Sequence, residues 1–487
     1  MRSRRGAGFG VALSLTACAA VLGACAWDGL DPRLGASASG GAGGATSAMG
    51  GAGPATGGAG GTGGAASTGV GAGGPTDCGR ISMLADAFEA SELDQAKWTE
   101  DTRGGLSEAM LVASGVRLTA GAGDRFDYGR LRSRHHHDMR EGSVSVDIGD
   151  VSGLAPEALV NFVAYEAIDG ARANFRYRAG ALEARVVSNG QEEIIESVAY
   201  DTAMHRFWRL RHEAGLVHFD VSGDGATWTS LVSIEERFAH DFANARMEVL
   251  VGWATDFPMG TMPQTITIGP VVAEVASGAP DGDRWCKADT LTDAFEAPVR
   301  DAAWGRTTAD SGAFIGQNDG EVFLGFNYDD TSTDGFYGSS RAYDLTDASV
   351  SVEMTRVAEG PGSTSVLRVD GTGPDDEIIL GVVWPEAGDE AMLRCTWEAG
   401  SGVNDVCPGR AFDAVADRFF RLRVAAGALF WETSPDGVAF DEKGRLQMVP
   451  FDLTAVALRF GARANTQLVS PPPDVRFDNF NLLPAAP

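Results

Sequence analysis

The sequence predicts an all-β fold, two tandem jelly-roll β-sandwiches behind a long tether with no core of its own. Three observations predict it. From Asp77 onward, short runs alternate polar and apolar residues, with turn residues between them. The same segments occur twice, in the same order. The stretch before them is almost only Gly, Ala, Ser and Thr.

In chain order, Arg2, Arg4 and Arg5 precede an apolar stretch from Gly6 to Ala24, the pattern of a secretory signal. The stretch closes on Leu22-Gly23-Ala24-Cys25, which resembles the bacterial lipobox, whose cysteine is lipid-modified and becomes the new N-terminus. Leu15-Thr16-Ala17-Cys18 is a second match within the same run. Cys25 is the expected lipid attachment, because the apolar run continues up to it; the alternative is an ordinary signal with incidental cysteines. No other stretch reaches the ~18–20 apolar residues of a membrane span. The signal is assigned to 1–25 and a flexible linker to 26–76. Residues 35–76 carry no charge and no aromatic residue, so they cannot bury enough surface to offset the entropy of ordering. Such a tether spans about 35–40 Å for roughly 45 residues. Its composition resembles the linkers of surface lipoproteins from high-GC Gram-negative bacteria. The expected location is the cell envelope, held by the lipid anchor to the outer-membrane bilayer and facing the periplasm or the exterior.

The formal charge of −28 argues against nucleic acid or anionic headgroups as partners. It suits solubility, neutral glycans or divalent cations.

The division into domains comes from the repeat. "LADAFEASELDQAKW" (84–98) matches "LTDAFEAPVRDAAW" (291–304), and "SVSVD" (143–147) matches "SVSVE" (349–353). "RFWRLRHEAGLVHFDVSGDGATW" (206–228) lies over "RFFRLRVAAGALFWETSPDGVAF" (418–440) without a gap, and "TITIGPV" (265–271) over "DVRFDNF" (474–480). The expected domains are 77–276 and 277–487. Within each, "SVSVDI" alternates, and "VVSNGQEEII" (186–195) is two strands about an Asn-Gly turn. Ser222-Gly223-Asp224-Gly225 and Ser434-Pro435-Asp436-Gly437 mark a further turn. Alternation places Trp208, Leu210 and Phe219, with their matches Phe420, Leu422 and Trp431, in the cores. The opposite face then carries Arg209, Arg211, His218 and Asp220 in the first unit, and Arg421, Arg423, Phe430 and Glu432 in the second. A repeated Arg-x-Arg opposite a repeated acid is most simply a cross-strand salt bridge; a polar ligand face is the alternative.

Asp-Ala-Phe-Glu, a Trp eleven or twelve residues on, then Arg-Phe-[Trp/Phe]-Arg-Leu-Arg and Ser-x-Asp-Gly-x-x-[Trp/Phe] together resemble the concanavalin A-like lectin/glucanase superfamily and its laminin-G-like modules. The resemblance covers both units. It implies that the opening Asp-Ala-Phe strand pairs with the last strand, and that glycan, where bound, uses a sheet face or its edge loops. It implies fold more than function.

Four cysteines lie beyond the signal. Cys395 and Cys407 bracket the segment that aligns with the Asn189-Gly190 hairpin, so a bridge across its base is expected. Cys78 and Cys286 sit eight and seven residues before Asp86 and Asp293, and their expected equivalence in the repeat suggests a bond between the two domain starts. No cofactor is expected; a structural calcium on Asp330, Ser332 and Asp334, in "DTSTDG", is the alternative to a polar turn. The superfamily's glucanase motif Glu-x-Asp-x-x-Glu begins only at Glu92-Leu93-Asp94 and ends wrongly, on Lys97. "EEIIE" (192–196) lacks the Asp. "SGDGATW" is one residue short of a propeller Asp-box and lacks its period.

His135-His136-His137-Asp138 is a concentration among only seven histidines. Laid over "SRAYD" with one residue dropped, it reads as a local variation at a strand end. On a strand, His135 and His137 would face one way, about 6.5–7 Å apart, and would need a third ligand to hold zinc.

The favoured function is a surface-tethered, non-catalytic binding protein recognising glycan or a surface protein through two lectin-like domains. The alternatives are a polysaccharide-active enzyme and a purely structural envelope lipoprotein.

Overall fold

The computed structural model describes residues 78–482, apart from 104–106, 114, 123–126, 167–170, 189–190, 236–241, 254–261, 279–281, 283, 298–299, 310–312, 319, 327–332, 374, 387–389, 401 and 465–473. Cys25, the tether, the Asn189-Gly190 turn, Asp330 and Ser332 lie outside these residues.

Two all-β sandwiches of jelly-roll type follow one another. In the first, a seven-stranded antiparallel sheet runs, edge to edge, Trp98–Arg103, Tyr128–Ser133, Ala245–Trp253, Ala158–Glu166, Arg172–Arg178, Ala181–Ser188, Gln191–Ala199. Facing it is a five-stranded sheet of Thr229–Glu235, Leu216–Ser222, Phe207–Glu213, Gly142–Asp147 and Val271–Val275, with a three-stranded sheet (Gln264–Ile268, Gly115–Ala120, Glu108–Val112) beside it. Alternation turns Val160, Phe162 and Phe175 of one layer toward Val144, Val146, Trp208, Leu210 and Phe219 of the other, all buried in one core. Phe175 lies 5.6 Å from Trp208 and 5.4 Å from Phe219, ring centre to ring centre.

The second sandwich repeats this order with one difference. Its outer layer is a continuous seven-stranded sheet: Ala313–Asn318, Glu321–Phe326, Val475–Asp478, Ser349–Arg356, Phe419–Ala425, Ala428–Ser434, Asp441–Leu446. The single strand Val475–Asp478 pairs on both sides, whereas the first copy divides the same segment at Gly269-Pro270. Proline has no N–H to give the ladder, so the sheet parts there.

The Asp-Ala-Phe-Glu repeat is a local lock. Asp86 accepts the Phe88 N–H at 2.8 Å and the Trp98 indole N–H at 3.0 Å; Asp293 does the same for Phe295 (2.7 Å) and Trp304 (2.8 Å). Both phenylalanines have positive φ, 54° and 52°, a strained conformation that the carboxylate holds. Asp86 bridges to Val271 on the last strand of the first sandwich, and Asp293 to Phe480, two residues past the last strand of the second. The Ser-x-Asp-Gly turns have the same economy. Ser222 and Ser434 oxygens accept the Gly225 and Gly437 N–H groups, both at 2.9 Å, while Asp224 and Asp436 accept the next two amides.

The histidine run belongs to the junction between the sandwiches. His135, His136, His137 and Asp138 are all buried. His135 and His137 pack on Trp285 of the second unit, with ring centres 5.5 and 5.0 Å away. The His136 Nδ1 is 2.8 Å from the Ser340 carbonyl oxygen. From the other side, Arg341 donates to Asn244 Oδ1 at 2.7 Å and to the Ala243 carbonyl. Cys78 is bonded to Cys286, and the Gly79 N–H donates to the Arg284 carbonyl at 2.6 Å. The second disulfide, Cys395–Cys407, closes the base of the hairpin Met392–Ala399/Gly402–Asp405.

Two expectations need correction. The segments "SRHHHD" and "SSRAYD" superpose without a gap. Arg134 N–H donates to the Lys97 carbonyl as Ser340 does to Ala303, and His137 exchanges both backbone bonds with Ala245 as Tyr343 does with Val456. His135 therefore corresponds to Arg341 and His137 to Tyr343. The histidines are no idle variation at a strand end: they fill the junction. Nor are Cys78 and Cys286 equivalent positions. The bridge Arg80↔Asp138 matches Lys287↔Asp344, so Cys78 stands opposite Trp285 in the repeat and the disulfide crosses one residue out of register.

Candidate functional site

The faces turned away from the cores are the surfaces on which chemistry could occur. On the five-stranded sheet, Arg209 Nε and Arg211 Nε donate to the same Asp220 oxygen at 3.0 and 3.1 Å. In the second unit Arg421 and Arg423 embrace Glu432, each at 2.6 Å. The guanidinium pairs outweigh the cost of burial and hold Asp220 and Glu432 below the usual carboxylate range. The arginines also lie on aromatic faces: Arg209 over Trp228 at 4.2 Å, Arg421 over Phe440 at 3.7 Å, Arg423 over Phe430 at 4.1 Å. His218 Nδ1 is 2.7 Å from the Ser233 hydroxyl. Every candidate taken from the repeated strands is thus engaged inside its own sheet. Asp334 pairs with Arg463 at 2.9 Å. Among the described residues no group of three His, Cys, Asp or Glu side chains is placed to hold a metal ion.

A polar face that sequence reading missed lies on the seven-stranded sheet of the first unit. Arg130 pairs with Asp101 and, at 3.1 Å, with Glu248; burial opposes its charge, but the two carboxylates more than offset this and raise its pKa. Arg176 Nε donates to Asn161 Oδ1 at 3.1 Å, and Arg185 pairs with Glu192 at 2.6 Å. Burial pushes the Tyr165 phenol up to about 12, beneath Arg172. Across this face Arg132, Glu248, Val163, Asn174 and Arg185 form one row, each opposite the next. Asn174 is 1% exposed, and its Oδ1 finds no hydrogen-bond partner among the described residues; nor does Arg132 Nε. Burial and the neighbouring Arg130 lower the Arg132 pKa. The second copy places Gly338, Arg459, Arg368, Ile379 and Thr396 along the same row. No motif announces this face, because its members come from five strands spread over the whole unit.

The second unit has its own perturbed carboxyl. Asp478 is pushed up to about 6, first by burial and then by Glu353, Glu321 and Glu296, while the Asn479 amide lowers it. Asn479 Nδ2 donates to Glu353 at 2.6 Å and to Asp478 at 3.1 Å, and Arg418 pairs with Glu353. Its counterpart in the first copy is Gly269, whose amide donates to the Asp147 carbonyl at 2.8 Å.

No protein-family model and no curated protein matches this sequence. Solved structures similar to parts of it include a Bacillus licheniformis β-glucanase (9% identity, 42% of this chain and 99% of that one, TM-score 0.31). A Thermotoga petrophila laminarinase catalytic domain is similar at 9% identity over 40% of this chain and 97% of that one, TM-score 0.32. A family 16 endo-glucanase from Bacteroides ovatus is similar at 10% identity over 39% and 98%, TM-score 0.31. Likeness of this degree does not indicate what the chain binds.

Proposed function

We propose that the chain is a surface-tethered, non-catalytic binding protein whose lectin-like sandwiches recognise glycan, held to the envelope by lipid on Cys25 and a flexible Gly/Ala-rich linker. The observation that carries this reading is the outer face of the first seven-stranded sheet. Asn174 Oδ1 and Arg132 Nε lack partners among the described residues there, and a buried polar atom without a partner costs about 1–3 kcal/mol. Around them the face offers the part-buried Arg176, Arg185 and Glu192, and a glycan hydroxyl, which both donates and accepts, can meet such charged donors and acceptors. The two copies keep their cores and differ on this face: Ile379 and Gly338 stand where Asn174 and Arg132 do. Such a difference at equivalent positions, on sandwiches of the same strand order, suits recognition.

The test is a glycan array probed with residues 78–487. Saturable binding is expected, and Asn174→Ala or Arg132→Ala should weaken it at least about fivefold, the worth of one hydrogen bond. A reducing-sugar assay on each bound glycan should stay at background. Binding to no glycan would overturn the reading, and sugar release would replace it with the polysaccharide-active enzyme.

A further inference from the structure

We propose a second glycan site, on the opposite layer of the second sandwich, built on Phe314 as a flat platform for the C–H face of a neutral pyranose. Phe314 lies on the edge strand Ala313–Asn318 and is 50% exposed. On that strand Ile315 and Ala313 pack against the core, so Phe314 points outward. Its cross-strand partner is Gly325, and a Cβ there would run into three atoms of the Phe314 ring. The ring therefore lies over the glycine with its other face toward solvent. The neighbouring pair is reversed: Phe323 stands opposite Gly316 and lies over it. The two rings meet edge to face, centres 6.2 Å apart, so that Phe323 forms a wall beside Phe314.

The first copy shows that the fold does not require these rings. Val116 and Val322 are equivalent, because each pairs with the matching residue of the last strand, Ile268 or Phe477. Phe314, Phe323, Gly325 and Gly316 then correspond to Glu108, Arg117, Thr119 and Met110, where Arg117 and Glu108 form an ordinary exposed ion pair at 2.7 Å. Where the first copy has a solvated ion pair, the second has two rings and two glycines.

The occupant follows from what stands beside the rings. Arg476 is the cross-strand neighbour of Phe323 and is fixed by Glu321 at 2.9 Å and Asp474 at 3.0 Å. Its side chain is 45% exposed and that of Glu321 25%. A flat apolar ring flanked by an exposed donor and a part-exposed acceptor matches a pyranose, which offers C–H groups on its face and hydroxyls on its rim. An apolar peptide would leave the charged pair desolvated and unmatched.

The full mature chain, in native gels containing hydroxyethyl cellulose, laminarin, xylan or galactomannan, tests this. At least one polysaccharide should retard it. Phe314→Ala, and Phe314→Leu, which keeps apolar bulk without a flat ring, should each weaken that retardation about tenfold. Phe314→Trp should keep it. Gly325→Ala retains both rings but tips Phe314 off its seat, and should weaken it as much as Phe314→Leu does. Asn174→Ala should leave this site's share of binding intact, which separates it from the first-domain face. Retardation by none of the four, or retardation unchanged in Phe314→Leu and Gly325→Ala at unchanged melting temperature, overturns the proposal. So does loss, in Phe314→Leu, of a protein partner instead of a polysaccharide.

Discussion

At the scale of single residues, His137 has the clearest energetic consequence. It is 2% exposed, and burial depresses its pKa to about 3; a bond to the Arg80 backbone works the other way, and the Arg341 and Lys97 charges lower it further. The folded imidazole therefore stays neutral where the unfolded one, near 6.5, takes a proton. Above pH 6.5 the two states bind the same number of protons at this site. Below it the unfolded state binds more, so stability is lost as pH falls, by about 1.4 kcal/mol per pH unit down toward the folded pKa. Asp478 has the opposite slope: its raised pKa costs stability as pH rises from about 4 to 6. His137→Phe removes the first slope and leaves the second. The difference in unfolding free energy between variant and parent, from urea titrations, should shift in the variant's favour by about 1.4 kcal/mol for each unit below pH 6.5. A difference constant from pH 7 to 5 would mean that the junction opens to solvent. The concentration of histidines was plain in the sequence, but its meaning was not. Its packing partner, Trp285, lies 148 residues from His137 along the chain, and a gap placed one residue wrong hid the equivalence of His137 with Tyr343.

At the scale of elements, the hairpins carry untapped stability. Ala214-Gly215 and Ala426-Gly427 join Phe207–Glu213 to Leu216–Ser222 and Phe419–Ala425 to Ala428–Ser434, and Ala179-Gly180 joins Arg178 to Ala181. These alanines have φ of 53°, 50° and 49°. Two-residue hairpin turns of this hand favour Asn-Gly, since a Cβ in the left-handed region costs roughly 1 kcal/mol. Ala214→Asn and Ala426→Asn should each stabilise their domain by about 0.5–1 kcal/mol, read as a rise in the urea midpoint at constant slope. A fall in either midpoint would show that the turn relaxes to another type. The strands were legible because polar and apolar residues alternate, and Trp208, Phe219, Phe420 and Trp431 are buried where that period puts them. The Ala-Gly turns were not legible, because alanine carries no turn signal and the strand register alone imposes its φ. The row from Arg132 to Arg185 was hidden for a related reason: it runs across strands, and periodicity is read along them.

At the scale of the whole molecule, two sandwiches of the same strand order carry different outer faces: polar on one layer of the first, aromatic on the other layer of the second. The repeat made this division readable, since the matched segments fix which positions face the core. The cross-link between Cys78 and Cys286 spans 208 residues and changes how the molecule bears load. Tension entering from the N-terminal side reaches Cys78 and passes directly to Cys286, so the first sandwich lies in a loop that carries no force. A pull on a ligand held by the second sandwich would leave the first one folded. Single-molecule stretching from the N- to the C-terminus should show the second domain alone unfolding under oxidising conditions. After reduction, roughly 70 nm of further extension should appear as the 208-residue loop is paid out. The bond is then a mechanical bypass, sparing one domain while its twin absorbs the shock.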